Sequence, residues 1–429
     1  MAVALCLLFV VVAFVLVWRG FDVRFVLFAA ALAIGAIAGQ PQLVFRKTVE
    51  TLADGKFLLP ICAAMGFAYV VRDTGAVAAL VHVLVRPIER APRIFVPAAS
   101  FVALVVNMAI PSQTSTLAAV GPIDVALMAR VRVRAPDAGT VLVYGASVAG
   151  ALVNPGVAEV ITLSALTKTP APVLVLALLP GVLAAFAVGM TVLLVRRRFG
   201  LGKDDPEIET STNADNEEEP KRWKALLPPL PIFWLLLAHP SLPTAALIAK
   251  VVPEKLEVLT AMLAGTVITI AIAGRDRQRS IRAFFEGMGW ALANIVSIIA
   301  VSTGVAKALE VAGVLSAFVA LVSGHSGIAL GAAFLLAFLL AMVSGSGTAP
   351  SVALVTALGP RAEELGVNPL VLGGVILFGA EAGRTTSPVS AVLLFGATLV
   401  GVKTKTLVVR LLLPCFVAGI AGALWCALR

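Results

Sequence analysis

The sequence predicts an all-α polytopic membrane protein built from two inverted repeats, each of five spanning helices plus one re-entrant hairpin, with broken helices at the site. Three observations carry this. The chain is 60% hydrophobic and only 13% charged, with a mean hydropathy of +1.01, well outside the balance of a soluble globular chain. Apolar runs of roughly 18 to 25 residues, enough to cross a hydrocarbon core of about 30 Å as helix, recur from end to end. Glycine, proline and hydroxyl landmarks of the first half return in the same order in the second.

Continuous apolar runs favour helices over a barrel, whose signal would be short alternating segments. In the first half they lie near residues 3–18, 21–39, 57–85, 94–130, 138–167 and 171–195. In the second they lie near 226–249, 256–274, 288–322, 327–360, 369–400 and 406–428. The first run, Val3–Val17, has no basic start and no small-residue cleavage site, so it reads as a spanning helix rather than a signal peptide. Residues 200–224, rich in Asp and Glu and poor in apolar residues, read as a flexible linker. This divides the chain into a first repeat (1–199), an acidic linker (200–224) and a second repeat (225–429). Cys6, Cys62, Cys415 and Cys426 lie in apolar runs without metal-ligand spacing and read as buried thiols.

The landmarks keep a nearly constant register. Met65-Gly66 with Gly75 matches Thr303-Gly304 with Gly313, and Ser112-Gln113-Thr114 matches Ser346-Gly347-Thr348. Gly121-Pro122 matches Gly359-Pro360, Gly150 with Asn154-Pro155 matches Gly383 with Ser387-Pro388, and Leu179-Pro180 matches Leu413-Pro414. The offsets are 238, 234, 238, 233 and 234 residues, which argues for duplication. The fourth run of each half has a polar middle, NMAIPSQTST (107–116) and MVSGSGTAPS (342–351), as expected of two short helices meeting at a buried tip.

Five crossings per half would invert the second half relative to the first, and the basic residues agree. Assigning loops to two faces on that plan puts 21 Lys and Arg on one face and 8 on the other, with four within segments. The richer face is then cytoplasmic, both termini lie outside, and the linker is cytoplasmic. The net charge of +9 follows from these short loops and gives no sign of nucleic-acid binding.

Inverted repeats with broken helices are the architecture of secondary transporters, with the site near the bilayer midplane. Asn154 and Ser387 precede proline and are expected unwinding points in the fifth segments. Candidate substrate-binding residues are therefore Ser112, Gln113, Thr114 and Ser115, Asn154, Ser346, Gly347 and Thr348, and Arg384, Thr385, Thr386 and Ser387. Thr114, Ser115, Thr348 and Ser387 suit caps of half-helices or direct contacts; the plainer reading of such residues is close helix packing. Arg384 offers a planar fork for a carboxylate at membrane depth. Glu381, one turn earlier, is expected to neutralise it or carry a coupling proton, or else the two form a permanent internal ion pair. Glu381, Asn154, Ser112, Ser344 and Ser346 are the candidate ion-coupling residues, with Na⁺ sites at Ser112, Asn154, Ser346 and Ser387. Glu159 is a weaker candidate, and Arg72-Asp73 and Lys307 with Glu310 read as interfacial pairs. One arginine beside several half-helix N-termini points to an anion.

GAEAGRTTSPVSAV (379–392), with SGSGTAPS (344–351) upstream and GATLVGVKT (396–404) downstream, resembles the anaerobic four-carbon dicarboxylate carriers of the DcuC family, within the larger ion-transporter superfamily. IPSQTST (110–116) is similar to the Ser-Asn-Thr hairpin tips of that superfamily's sodium-coupled symporters, with Gln113 in place of the asparagine and Gly347 there in the second tip. The resemblance implies a homodimer with scaffold and transport subdomains interleaved from both repeats, in a bacterial-type cytoplasmic (inner) membrane. It implies elevator-type transport of succinate, fumarate or malate, coupled to Na⁺ or H⁺ or by exchange, without a bound cofactor. Glu381 stands where the family would have a small residue, which leaves amino acids or monocarboxylates as the alternative substrates.

Other classes fit less well. Gly324-His325-Ser326-Gly327 matches the G-x-S-G pattern of an intramembrane serine protease, but His82 and His239 lie far from Ser326 in the repeat plan. No G-x-x-x-x-G-K-[ST] motif is present for ATP-driven pumping. A channel is the remaining membrane alternative, though inverted broken-helix repeats more often mean alternating access.

Overall fold

The computed structural model describes residues 21–88, 94–198, 207–208, 221–237, 244, 258–273, 276–322 and 324–428, with scattered positions before residue 21. Within the expected first helix, Val3–Val17, the described positions (6, 8, 9, 11–13, 15 and 16) are helical and the others lie outside the described residues, as do His239 and most of the acidic linker (200–206 and 209–220). Among the described residues the chain is helical, apart from one isolated bridge between Arg134 and Glu207.

In the first half the helices are α1 (Val23–Ile37), α2 (Pro41–Ala53), α3 (Gly55–Asp73), α4 (Ala76–Val85), α5 (Phe95–Ala109), α6 (Gln113–Arg130), α7 (Ala135–Ser147), α8 (Ala158–Thr167) and α9 (Ala171–Arg198). In the second they are α10 (Leu230–Leu237), α11 (Val258–Ala273), α12 (Arg277–Ala291), α13 (Ser297–Val311), α14 (Val314–Val322), α15 (Ser326–Ser344), α16 (Thr348–Leu358), α17 (Pro369–Thr385), α18 (Ala391–Leu399) and α19 (Thr404–Ala427). Five described stretches are long and apolar enough to cross a bilayer: 135–167, 171–196, 277–311, 326–344 and 404–427. The four cysteines are buried and free.

Two helices differ from the sequence expectation. Residues 41–53 and 277–287 read as basic loops because charges interrupt the apolar runs, yet they form α2 and most of α12. In α12 the buried Ser280, Ala283, Phe284 and Gly287 recur at the helical spacing that puts them on one face, away from Arg279 and Arg282. Asp276 caps α12 by accepting from the Arg279 amide at 3.1 Å. A π-turn, Leu292–Val296, joins α12 to α13.

The breaks fall where the prolines and polar tips predict them. The fourth segments divide at 110–112 and 345–347, and the fifth at 148–157 and 386–390. The first of the fifth-segment breaks opens earlier than Asn154: α7 ends at Ser147, Ala149 adopts a left-handed φ of 54°, and a 3₁₀ turn covers Gly150–Val153. Pro180 and Pro414 instead sit inside the continuous helices α9 and α19.

Close packing repeats at the sequence offset. Gly145 of α7 lies so near the Ser100 carbonyl of α5 that a Cβ would sit 2.3 Å from it; Gly379 of α17 meets the Phe334 carbonyl of α15 at 2.6 Å in the same sense. Both members of the first pair are 234 residues from their counterparts in the second. A second correspondence crosses between the halves. Gly66 of α3 accommodates Phe284 of α12, while Gly304 of α13 accommodates Thr48 of α2. Each half therefore presses its third segment against the amphipathic helix of the other, and α3–α12 and α2–α13 are among the broadest contacts in the molecule.

Candidate functional site

Buried polarity concentrates where the breaks meet. Pro369 at the first helical position and the Asn368 cap, which accepts from the Leu370 amide at 2.8 Å, set the start of α17. Its final turns carry Glu381 and Arg384 into the interior, at 1% and 8% exposure. The two form an i,i+3 ion pair through Glu381 Oε2 and Arg384 Nη2. Their other polar atoms are less well served: Glu381 Oε1 and Arg384 Nε are buried and find no hydrogen-bond partner. Half of a buried charge-assisted pair is thus left with bonding capacity to spare.

The tip between α15 and α16 faces this pair. A Cβ on Gly347 would lie 2.9 Å from Glu381 Oε1 and 3.4 Å from the Arg384 guanidinium carbon. Absence of a side chain here is what lets backbone approach the ion pair. One residue later, Thr348 Oγ1 donates to Glu159 Oε1 at 2.6 Å. Glu159 is 6% exposed and sits in the first turn of α8, so its carboxylate faces two helix N-termini, its own and that of α16. Ala158 and Ile161 of α8 pack beside Val352 of α16, with Ile61 and Ile299, which fixes those starts side by side.

Around the first tip a second polar group forms. Asn154 Nδ2 donates to the Met108 carbonyl at 3.0 Å, and its Oδ1 accepts from the Gly156 amide at 2.9 Å. Ser112 caps α6, accepting from the Ser115 amide at 3.3 Å and donating to Ser115 Oγ at 2.9 Å. The two polar groups join through the chain itself, since the 148–157 break leads directly into α8 and Glu159.

Of the sequence candidates, Gly347, Thr348, Glu381 and Arg384 come together, and Glu159 is promoted to their company. Thr385 lies beside them but spends its hydroxyl on the Glu381 carbonyl at 2.7 Å and on Ser147 Oγ at 2.9 Å. Thr386 Oγ1 donates back to the Gly383 carbonyl at 2.9 Å, and Ser387 Oγ accepts from the Val389 amide at 3.3 Å, so both shape the break. Ser346 Oγ accepts from the Ala349 amide at 3.4 Å, and Ser344 Oγ donates to the Ser346 carbonyl at 3.3 Å, holding the second tip. Gln113 and Thr114 open α6 and are part-buried. Among the described residues no three His, Cys, Asp or Glu gather as a metal site.

Three residues escaped the sequence reading. Ser147 meets Thr385 across the halves, a contact between residues that the local offset of 233–234 does not pair. Asn107, the first residue of the polar stretch already quoted, donates to the Ile110 carbonyl at 3.4 Å and braces the first tip. Asp124, fully buried in α6, has no hydrogen-bond partner at either carboxylate oxygen; a single acid within an apolar run carried no motif. Of the two expected pairs, Lys307 binds Glu310 at 3.0 Å, but Arg72 and Asp73 take other partners: Arg72 lies over the Tyr69 ring, and Asp73 pairs with Arg279 of α12 at 2.7 Å, because α12 packs against α3. Ser326 begins α15 as an exposed residue, with His325 at the cap.

Known proteins agree with this architecture. The sequence profile of the DcuC family, described as C4-dicarboxylate anaerobic carrier, matches residues 33–426. A Haemophilus influenzae protein described as an uncharacterized transporter is 30% identical over 190 residues, 43% of this chain and 66% of that protein. A Vibrio cholerae protein described as "Probable anaerobic C4-dicarboxylate transporter DcuC" is 26% identical over 368 residues, 83% of this chain and 78% of the relative. The anaerobic C4-dicarboxylate transporter DcuC of Escherichia coli K12 is 30% identical over 136 residues, 31% of this chain and 30% of that transporter. The crystal structure of the Alcanivorax borkumensis YdaH transporter superposes with a TM-score of 0.60 at 16% identity, covering 100% of this chain and 97% of that one. That likeness establishes a shared fold. With its apolar helices, its broken segments and a family match over nearly its whole length, the chain is a multi-pass membrane protein of the DcuC family and a transporter rather than an enzyme.

Proposed function

We propose that the protein is a secondary active transporter of small organic anions, four-carbon dicarboxylates first, in which Arg384 receives a substrate carboxylate. The observation that carries this is the buried Arg384–Glu381 pair, half-satisfied and facing the Gly347–Thr348 tip. A guanidinium with a free buried Nε suits a second carboxylate, and the bare backbone at Gly347 leaves room for it.

Glu159 changes the charge balance. One arginine with two carboxylates carries a formal charge of −1, so a dianion needs added positive charge to bind. Protons on the carboxylates, or Na⁺ held by them with nearby hydroxyl oxygens, supply it, which favours cation-coupled transport over unassisted anion binding. A substrate bearing its own ammonium group would meet the same balance, and this keeps amino acids as the alternative.

The matched close packings and the exchange of Gly66–Phe284 and Gly304–Thr48 support two repeats related by a pseudo-two-fold axis. On that reading the fourth segments are re-entrant hairpins, the face rich in Lys and Arg is cytoplasmic in a bacterial inner membrane, and a transport unit containing both hairpins moves against a scaffold in a homodimer. The test is counterflow of labelled succinate into proteoliposomes preloaded with unlabelled succinate. Counterflow above that of empty liposomes, competed by fumarate or malate, supports the reading. Its absence with folded protein refutes the dicarboxylate assignment and sends the search to amino acids and monocarboxylates.

A further inference from the structure

The loops assigned to the non-cytoplasmic face are poor in basic residues, with 8 against 21 on the opposite face. Yet three of those 8, Arg46, Lys47 and Arg361, converge with Lys307 on one cavity of about 540 Å³. Arg46 and Lys47 come from α2, Lys307 from α13, and Arg361 from the turn that follows α16. Two of the four cations are neutralised locally, since Arg46 pairs with Glu50 at 2.7 Å and Lys307 with Glu310 at 3.0 Å. Arg361 donates to the uncharged Ser316 Oγ at 2.9 Å, and neither it nor Lys47 pairs with a carboxylate among the described residues. The cavity thus carries an excess of about two positive charges, standing on separate walls.

Topological bias does not account for this gathering, because the positive-inside tendency would deplete such residues from this face. Packing does not require it either, since ammonium and guanidinium groups that repel one another are costly to bring together without an anion between them. The position is also informative. The cavity lies at the C-terminal end of α16, whose N-terminal end is the Gly347–Thr348 tip. A neighbouring apolar cavity of about 400 Å³ shares Ala306, Leu315 and Ala357 with it and runs along α16 to Ser344 and Ala349. Those apolar walls offer a dianion no bonding, so the charged cavity is a place of capture rather than an open channel to Arg384.

We propose that this cavity is an anion-capturing vestibule, in which Lys47 and Arg361 hold a small dicarboxylate at the non-cytoplasmic surface before it enters the Arg384 site. The proposal rests on the transport reading above. Its action is electrostatic and at the surface, so it lowers KM at low ionic strength and leaves the maximal rate alone.

The test is labelled succinate uptake by proteoliposomes containing wild type, Lys47→Gln, Arg361→Gln, the double Gln variant, and a charge-retaining Lys47→Arg/Arg361→Lys control, at ionic strengths of ~20 and ~300 mM. The expected result is a wild-type KM that rises with salt, and a double-variant KM raised about threefold to tenfold at low salt but nearly salt-independent, with the maximal rate within about twofold. The charge-retaining control should follow wild type. A low-salt KM in the double variant equal to that of wild type overturns the proposal. Repeating the series in phosphatidylcholine with and without phosphatidylglycerol distinguishes the anion's source: a KM difference present only with the anionic lipid assigns the cavity to a lipid phosphate and overturns capture of substrate. Should the double variant aggregate, the single variants make the same comparison with smaller shifts. Wild type without any succinate uptake would refute the transport reading and this proposal with it, whereas active wild type with an unchanged variant KM refutes the vestibule alone.

Discussion

Replacing Arg384 and Glu381 singly and together distinguishes an ion pair that only holds helices from one that also receives substrate. The side chains are 9% and 2% exposed, so solvent screens them little. Arg384→Gln leaves Glu381 as a buried carboxylate without its partner, and removal of one member of such a pair costs about 3–5 kcal/mol. Glu381→Gln strands the guanidinium in the same way. The double Gln variant strands neither charge, so it should be more stable than the sum of the singles by at least about 2 kcal/mol, roughly a thirtyfold difference in unfolding equilibrium. Stability is read from unfolding in detergent, and function from succinate counterflow. Restored stability must not restore transport, because the fork that binds the substrate carboxylate is gone; losing about 3 kcal/mol of charge-assisted bonding weakens binding more than a hundredfold. Wild-type counterflow in the double variant would refute the role of Arg384, and an Arg384→Gln variant as stable as wild type would refute the ion pair as drawn.

Other substitutions test the surroundings. Gly347→Val forces a branched side chain towards Glu381 Oε1, where even a Cβ would sit at 2.9 Å, and should reduce transport at least tenfold while the purified protein stays monodisperse by size exclusion. Glu159→Gln keeps a hydrogen-bond acceptor for Thr348 but removes one negative charge; transport that persists with an altered pH or Na⁺ dependence is expected, and an unchanged dependence on both would remove Glu159 from coupling. Asp124→Asn loses no hydrogen bond to a partner and relieves a buried acid, so detergent unfolding should show stability equal to or above wild type. Gly379→Ala drives a methyl to within 2.6 Å of the Phe334 carbonyl and should cost about 1–3 kcal/mol, as should Gly145→Ala against Ser100.

Much of this arrangement could be read from residue order. Polar tips and X-Pro steps located the four breaks because backbone chemistry at Pro155 and Pro388 is local, and Arg384 announced itself by being charged in an apolar run. Residue pairs were harder. Glu159 joined the site only because α8 and α16 start side by side, a relation between segments 189 residues apart that no local pattern encodes. The amphipathic helices α2 and α12 were missed for a different reason, since their charges interrupt the long apolar run on which a membrane reading relies. Asp124 shows the limit from the other side: one buried acid without neighbours of its kind leaves no pattern to find.

The exchange of helices between the halves bears on how the protein is made. Gly66 is synthesised 221 residues before Gly287, the α12 glycine that packs against it. Until α12 leaves the ribosome, the face of α3 that will hold it must wait in lipid or against the insertion machinery, with its small residues unfilled. The N-terminal half alone therefore lacks the surface that α12 supplies to α3. A chain cut in the acidic linker would have to regain its native core by association of two fragments in the bilayer, and the order of synthesis makes the second half the template on which the first completes its packing.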